Sequence, residues 1–294
     1  MSRSSITPSL ESLDQEQSLI TRLSQHVQER PNQQAYLFLK DGERAGDALT
    51  YAELEHAAKQ VAVSLQLVGE PRDRVLLLFP QSLDYITAYY GCLFAGCVAV
   101  PAYPPKTARN IPRIQGMVSD SRATVVMTTQ KIRDNMQHMV ANIPEFAHLE
   151  WLLIEDVLQQ NVQAVAQWQP PLITRECVAF LQYTSGSTSA PKGVMVTHGN
   201  LLSNHKWIQT AARTHSESVI VSWLPLFHDL GLIGTMMHSM VLGARCILMA
   251  PMAFVQKPLR WLQAIHDYRG TYTAAPNFAY DLCVDKITAE QKAR

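Results

Sequence analysis

The pattern that most constrains the fold is an alternation of short apolar runs with longer amphipathic segments along almost the whole chain. Several runs are nearly all apolar, as in strands covered on both faces, and strands are predicted at Ala35–Leu39, Val75–Phe79, Val98–Pro101, Thr124–Thr128, Trp151–Ile154, Val178–Tyr183, Ser218–Trp223, Arg245–Met249 and Thr271–Ala275. Helices are predicted between them at Thr50–Leu65, Ser82–Phe94, Ile111–Asp120, Gln130–Asn142, Asn200–Ala212, Leu230–Leu242, Pro258–Tyr268 and Asn277–Lys286. This order predicts an α/β fold with mostly parallel sheets flanked by helices.

Composition narrows the class of protein. The chain has 294 residues, of which 47% are hydrophobic and 17% charged, so it can bury a sizeable core and does not have the composition of a disordered chain. Lysine and arginine together number 25, as do aspartate and glutamate, which gives a formal net charge of zero. Without a basic excess, we predict no nucleic-acid partner.

The stretch Ile86–Pro105 carries no charge and is the segment most easily mistaken for a membrane span. Glycines and prolines interrupt it, and a broken helix exposed to lipid would leave backbone groups without hydrogen bonds. We therefore predict a buried helix, a turn and a buried strand, with no membrane span. An N-terminus without an apolar signal region and five scattered cysteines predict a cytoplasmic protein with reduced thiols.

Composition shifts predict three regions. Residues 1–15 form a polar lead-in, and residues 16–170 form a first α/β subdomain that ends in a glutamine-rich linker, Gln159–Pro171. Residues 171–294 form a second α/β subdomain, which carries the most informative motif of the chain.

That motif is the loop between two short apolar runs, Val178–Tyr183 and Val194–Val196. Its residue types suit a polyphosphate: hydroxyl groups donate hydrogen bonds, Gly186 allows close backbone approach and Lys192 adds a positive charge. The hydroxyl donors are Thr184, Ser185, Ser187 and Thr188. The loop is not a Walker A motif, because Pro191 precedes the lysine. Composition alone also allows an ordinary surface hairpin turn.

A second candidate is His228 with Asp229. A single histidine in an apolar segment is usually a satisfied core residue, and an aspartate before a helical pattern can be an N-cap. The following run Leu232–Met237 is typical of a helix core. These residues alone therefore leave a structural role open beside a functional one.

The string Tyr183–Val194 resembles the phosphate-loop signature of the adenylate-forming superfamily, which contains acyl-CoA synthetases, luciferases and peptide-synthetase adenylation domains. Leu49–Leu54 and Phe94–Pro101 resemble its first two core motifs, and Trp223–Gly231 resembles its aromatic–His–Asp motif. The segments Pro101–Pro105, Leu226–Gly234 and Ala275–Cys283 are similar to those of fatty acyl-AMP ligases in particular. The resemblance extends from about Thr50 to about Val284.

The resemblance implies that ATP and Mg²⁺ activate a fatty acid carboxylate to acyl-AMP, which is then transferred to an acyl carrier protein or a polyketide or peptide synthase. It implies a phosphate-binding loop over Thr184–Lys192, with Thr188 also on the metal. It places His228 near the acyl carboxylate and the α-phosphate as the catalytic residue. The remaining residues implied in the acyl or adenylate pocket are Phe227, Asp229, Ile233, Met236, Pro276, Asn277 and Phe278.

The family pattern continues beyond this sequence. The adenine-binding and ribose-binding segments of the family, and the small C-terminal domain with its catalytic lysine, have no counterpart in residues 1–294. The resemblance therefore implies a truncated second subdomain and an inactive or weakly active fragment. A fatty acyl-CoA synthetase fragment, or a short non-catalytic protein that binds acyl chains or a partner, remains an alternative.

Overall fold

The computed structural model describes residues 10–160, 164–184 and 191–292. Within them the strands are β1 (Gln34–Lys40), β2 (Arg44–Thr50), β3 (Arg74–Leu78), β4 (Val98–Ala102), β5 (Val125–Thr128), β6 (Glu150–Leu153), β7 (Val178–Thr184), β8 (Lys192–Thr197), β9 (Val219–Ser222) and β10 (Arg245–Met249). The predicted α/β class is confirmed, with two sheets flanked by helices.

The helices lie between these strands as the alternation predicts. They are α1 (Leu10–Gln15), α2 (Leu19–Glu29), α3 (Tyr51–Val68), α4 (Leu83–Ala95), α5 (Ile111–Ser121), α6 (Gln130–Val140), α7 (Pro144–Ala147), α8 (Ile154–Gln160), α9 (His198–Ala212), α10 (Asp229–Gly231), α11 (His238–Leu242), α12 (Pro251–Gln256), α13 (Leu259–Asp267), α14 (Asn277–Lys286) and α15 (Ala289–Lys292). A π-helical turn at Leu232–Met237 joins α10 to α11, and short 3₁₀ turns occur at Ala108–Asn110 and Ala164–Gln167.

The chain divides into two compact units, each built from separate stretches of sequence. One comprises Met1–Glu16, Arg22–Ala52 and Leu202–Arg294, and the other comprises Gln17–Thr21 and Glu53–Leu201. This division differs from the predicted ranges 16–170 and 171–294. The physical reason is strand pairing: β7 lies parallel to β4 and so joins the sheet of the earlier residues.

The unit that contains β1 has a four-stranded sheet in the order β2–β1–β10–β9. Strand β1 is antiparallel to β2 and parallel to β10, and β10 is parallel to β9. Leu39, Ile247 and Met249 pack with the aromatic rings of Phe254 and Trp261 in one buried cluster. The sheet is therefore held by apolar side chains contributed from both ends of the sequence.

The other unit has a six-stranded sheet in the order β6–β5–β3–β4–β7–β8. Its neighbours are parallel except for the antiparallel hairpin β7–β8. Leu76, Val100 and Val126 on adjacent strands pack against Met117 of α5 and Phe146 of α7. This arrangement places the β7–β8 hairpin at one side of the sheet.

The charge-free stretch 86–105 folds as predicted. Ser82 caps α4 by accepting a hydrogen bond from the Tyr85 N–H, and Gly96 ends the helix with a φ of 74°, a conformation that glycine adopts without a steric cost. Strand β4 follows and is buried along its whole length. Among the described helices, none is long and apolar enough to cross a bilayer.

Residues 10–15 of the predicted polar lead-in form α1, where Leu13 is buried, and residues 1–9 lie outside the described residues. Two local predictions are wrong. Thr271–Ala275 makes one bridge, Ile220 to Tyr272, rather than a strand, because among the described residues it has only β9 beside it. The single helix predicted over Leu230–Leu242 is interrupted by the π turn.

The end of the predicted linker, at Trp168 and Gln169, is held by side-chain contacts to helices α3 and α4. Trp168 donates its indole N–H to the Phe94 carbonyl over 2.9 Å, and the Lys59 ammonium lies 4.7 Å from the indole centroid. Gln66 and Gln169 exchange two further hydrogen bonds. These contacts hold the approach to β7 against α3 and α4.

Candidate functional site

The predicted phosphate loop, residues 184–192, connects β7 to β8. Its two ends meet in the cross-strand pair Thr184–Lys192, which we call the neck of the loop. Thr184 is the cross-strand partner of Lys192, and both are exposed. The other predicted phosphate-binding residues, Ser185, Gly186, Ser187 and Thr188, lie outside the described residues. The structure therefore brings one hydroxyl and one ammonium group together at the neck, where an anion can reach both.

A carboxylate on α5 contacts both strands just below this neck. Asp120 Oδ2 accepts a hydrogen bond of 2.6 Å from the Tyr183 hydroxyl and one of 3.3 Å from the Gly193 N–H. Burial, reinforced by the Asp120 carboxylate, raises the pKa of the Tyr183 phenol, so it is a hydrogen-bond donor at neutral pH. No local sequence pattern predicts this role of Asp120, because the loop that it contacts lies more than 60 residues away in the chain.

The end of the loop also rests on α5. A Cβ atom added to Gly116 would lie 2.9 Å from the Pro191 ring, which is closer than two carbon atoms can pack. A glycine inside a helix costs about 0.5–1 kcal/mol relative to alanine, so its position has to be explained by this close approach. An isolated glycine in the predicted helix Ile111–Asp120 was the available sequence signal.

His228 and Asp229 follow β9, and both are exposed. His228 Nδ1 lies 2.6 Å from Asp229 Oδ1, which also accepts a hydrogen bond of 2.7 Å from the Leu230 N–H. His228, rather than Asp229, occupies the N-cap position of α10, and its Nδ1 also lies 3.4 Å from the Leu230 N. Nδ1 takes part in both contacts, so Nε2 is the ring nitrogen that is left to face another group.

The π turn after this pair explains the interruption of the helix. The Thr235 hydroxyl donates to the Gly231 carbonyl over 2.5 Å and so competes with the backbone ladder. Gly231 itself packs against the Pro225 carbonyl, which would be 2.2 Å from an added Cβ. Among the predicted pocket residues, Met236 is fully buried, while Ile233 and Phe227 are partly exposed. Met236 thus has the core environment that the sequence left open.

The predicted residues Pro276, Asn277 and Phe278 reach the same edge of the sheet as the His228 segment. The bridge between Ile220 and Tyr272 is parallel, so both segments leave the sheet in the same direction. Thr273 Oγ1 donates to the Val221 carbonyl over 2.7 Å. The Phe278 ring then meets the Trp223 ring edge-on, with centroids 5.9 Å apart.

Within the described residues, no group of three or more histidine, cysteine, aspartate or glutamate side chains is placed to hold a metal ion. Thr188, the predicted metal-binding residue, lies outside them. Mg²⁺ bound with a nucleotide keeps phosphate and water oxygens as most of its ligands, so it does not require a complete protein site.

Comparisons with known proteins agree with these motifs. Residues 23–294 match the AMP-binding enzyme family. The chain is 39% identical over 280 residues to the medium-chain-fatty-acid–[acyl-carrier-protein] ligase JamA of Moorena producens (strain JHB), covering 94% of this chain and 47% of JamA. It is 32% identical to the long-chain-fatty-acid–AMP ligase FadD26 of Mycobacterium marinum (strain ATCC BAA-535 / M), covering 95% of this chain and 48% of that relative.

The solved structures to which this chain is similar are also fatty acid ligases. The fatty acid AMP ligase of Legionella pneumophila superposes with a TM-score of 0.88 at 40% identity, over 96% of this chain and 48% of that one. A fatty acyl-adenylate ligase from L. pneumophila, solved with acyl adenylate and pyrophosphate, has a TM-score of 0.86 at 40% identity, over the same shares of the two chains. The chain thus spans about half the length of the relatives it matches.

Proposed function

The chain belongs to the AMP-binding enzyme family, and on that premise we propose that the protein activates a fatty acid with ATP, forming acyl-AMP and pyrophosphate. The observation that carries the proposal is the exposed Thr184–Lys192 neck, in a chain 40% identical to a ligase solved with those two products. A carboxylate oxygen of the fatty acid attacks the α-phosphorus of ATP. The bond between the α-phosphorus and the oxygen that bridges it to the β-phosphorus breaks. Pyrophosphate leaves with that oxygen and with the electron pair of the broken bond.

The reaction needs no protein nucleophile, because the substrate carboxylate attacks. Catalysis then consists of holding two anions together and stabilising the charge that develops on the phosphate oxygens. We assign the β- and γ-phosphates to the loop residues Thr184, Ser185, Gly186, Ser187, Thr188 and Lys192. Mg²⁺ would neutralise part of the phosphate charge, with Thr188 as its proposed protein ligand.

His228 is the proposed catalytic residue. With Nδ1 held beside Asp229, Nε2 is the ring nitrogen that would donate a hydrogen bond to an anionic oxygen of the acyl carboxylate or the α-phosphate. Asp229 acts by orienting the ring. The acyl chain would lie against Phe227, Ile233, Met236 and Phe278, with Pro276 and Asn277 shaping the same pocket.

The acceptor proposed for the acyl group is an acyl carrier protein, alone or within a polyketide or peptide synthase. The similarity to JamA, a ligase named for its acyl-carrier-protein substrate, supports this choice over coenzyme A. The protein is proposed to act in the cytoplasm, where its cysteines, all free in the structure, would stay reduced.

The test measures acyl-adenylate formation from α-labelled ATP, Mg²⁺ and a medium-chain fatty acid, by the complete protein encoded with this chain. His228→Ala should lower the adenylation rate by about 100-fold, the usual cost of losing one donor to a developing anion. Lys192→Ala should mainly weaken ATP binding. Lys131→Ala, which removes an exposed lysine on α6, is the matched control.

Removing His228 should leave the free energy of unfolding within about 0.5 kcal/mol of the wild type, because its side chain is 65% exposed. Folded protein that forms no acyl-adenylate with any fatty acid would refute the proposed reaction. Thioester formation with coenzyme A at the rate seen with a carrier protein would refute the proposed acceptor.

A further inference from the structure

We propose that Asp120 is a positioning residue for the phosphate loop, fixing the two strands at its neck in the spacing that binds the ATP phosphates. The inference rests on the proposed function, since it specifies how the same loop is held. It concerns the protein's own residues, so one arm of its test, amide exchange in the hairpin, needs no bound nucleotide.

One carboxylate oxygen contacts both strands. Asp120 Oδ2 accepts from the Tyr183 hydroxyl at 2.6 Å and from the Gly193 N–H at 3.3 Å. Tyr183 and Gly193 are cross-strand partners, and they directly adjoin the Thr184–Lys192 pair. A shift of Asp120 would therefore move Tyr183 and Gly193, which are the immediate chain neighbours of the two ends of the loop.

The helix that carries Asp120 makes a second contact with the loop. Gly116 lies four residues before Asp120, so the two share one face of α5. It admits the Pro191 ring, whose Cγ and Cδ would be 2.9 and 3.0 Å from an added Cβ. Gly193 likewise leaves room for the Tyr183 ring, whose atoms would lie 3.0–3.2 Å from a Cβ there.

The negative charge of Asp120 allows an experiment to distinguish a role in holding the two strands from a direct electrostatic effect on ATP. A carboxylate close to a polyphosphate repels it, so a purely electrostatic effect of Asp120 would weaken ATP binding. Neutralising the residue would then tighten binding. If Asp120 acts by holding the strands, neutralising or removing it weakens binding although a repulsive charge is lost. The two explanations predict opposite signs.

The experiment compares Asp120→Ala, Asp120→Asn and Tyr183→Phe with the wild type in the complete protein. Asp134→Asn is the matched control, because it removes an exposed carboxylate on α6 that contacts Gln130 and not the hairpin. ATP·Mg²⁺ dissociation constants are measured by calorimetry, KM values for ATP and fatty acid by adenylation assay, and amide exchange over residues 178–197 by mass spectrometry.

We expect Asp120→Ala to weaken ATP binding about 10-fold, with Asp120→Asn and Tyr183→Phe in between because each keeps part of the hydrogen bonding. The KM for ATP should rise while the KM for fatty acid stays unchanged, which a general loss of structure would not produce. Amides of β7 and β8 should exchange faster in Asp120→Ala, and Asp134→Asn should behave as the wild type.

Unchanged or tighter ATP binding in folded Asp120→Ala would overturn the inference. If the wild type itself bound no ATP, the proposed function would fail, and the exchange data would still decide the positioning role. Faster hairpin exchange in Asp120→Ala would support that role, and unchanged exchange would overturn it.

Discussion

At the scale of single residues, histidines occupy opposite environments. His228 is 65% exposed beside Asp229, whereas His205 and His238 are fully buried with their rings stacked 5.5 Å apart. His238 Nε2 lies 2.8 Å from the Thr214 hydroxyl. The exposed ring can meet a substrate, while the buried rings of His205 and His238 act as neutral core residues.

The buried histidines make stability depend on pH. Burial lowers the pKa of His238 to about 4, against 6.5 for the unperturbed group. Between these values the unfolded chain binds a proton that the folded chain does not. Stability is therefore full above pH 6.5 and is lost as the pH falls towards 4, at about 1.4 kcal/mol per pH unit for each such histidine.

His238→Gln should flatten this dependence by about 1.4 kcal/mol per pH unit, because glutamine can still bond Thr214 but does not titrate. The measurement is the free energy of urea unfolding between pH 7 and pH 4.5. Asn204→Gln, at an exposed and non-titrating position of α9, is the control and should keep the wild-type slope. An identical slope in His238→Gln would show that this ring is not responsible.

At the scale of elements, α3 and α4 pack at a glycine. A Cβ atom at Gly91 would lie 2.2 Å from Val61 Cγ1 and 2.4 Å from Val61 Cβ. The Val61 side chain of α3 therefore packs directly against the backbone of α4. This contact lets the buried helix α4 lie close to α3. It also explains a glycine in the middle of an apolar helix, where its flexibility alone would be a cost.

Gly91→Ala should destabilise the protein by about 1–3 kcal/mol through overpacking. Val61→Gly removes both atoms that the new methyl group would strike. The double variant should therefore be less destabilised than the sum of the two single variants, by at least about 0.5 kcal/mol. Chemical denaturation of all four proteins measures this coupling, and simple additivity would contradict the packing explanation.

At the scale of the whole molecule, β8 is the last strand in the order of the six-stranded sheet. Val194 and Met195 are 52% and 69% exposed, and as neighbours on a strand they point to opposite faces. An exposed apolar edge strand is a template for pairing with another chain. Within the described residues, β8 is therefore one place where apolar surface is exposed along a strand.

We expect the 294-residue chain to self-associate as its concentration rises, and Val194→Thr combined with Met195→Lys to reduce this. Light scattering after size-exclusion chromatography measures the effect. Leu67→Thr removes a more exposed apolar side chain from a helix instead of an edge strand and should change little. A wild-type chain that stays monomeric at high concentration would contradict the expectation.

The sequence alone determined the class of fold and most of its elements. Strand β10 and helix α14 have the predicted bounds, Arg245–Met249 and Asn277–Lys286. Hydrophobic periodicity and capping are local, so they can be read from neighbouring residues. The loop chemistry and the His228–Asp229 motif were likewise visible in short strings of residue types, and the family is confirmed by the comparisons.

Only the tertiary structure decided which strands share a sheet and what lies beneath the loop. β1 pairs with β10, and β7 with β4, because distant apolar surfaces bury each other. Asp120 meets Tyr183 across 63 residues and Gly193 across 73, and nothing in its own neighbourhood predicts either contact. Such pairings bring together residues that are far apart in the sequence around a common core, and local sequence patterns do not predict them.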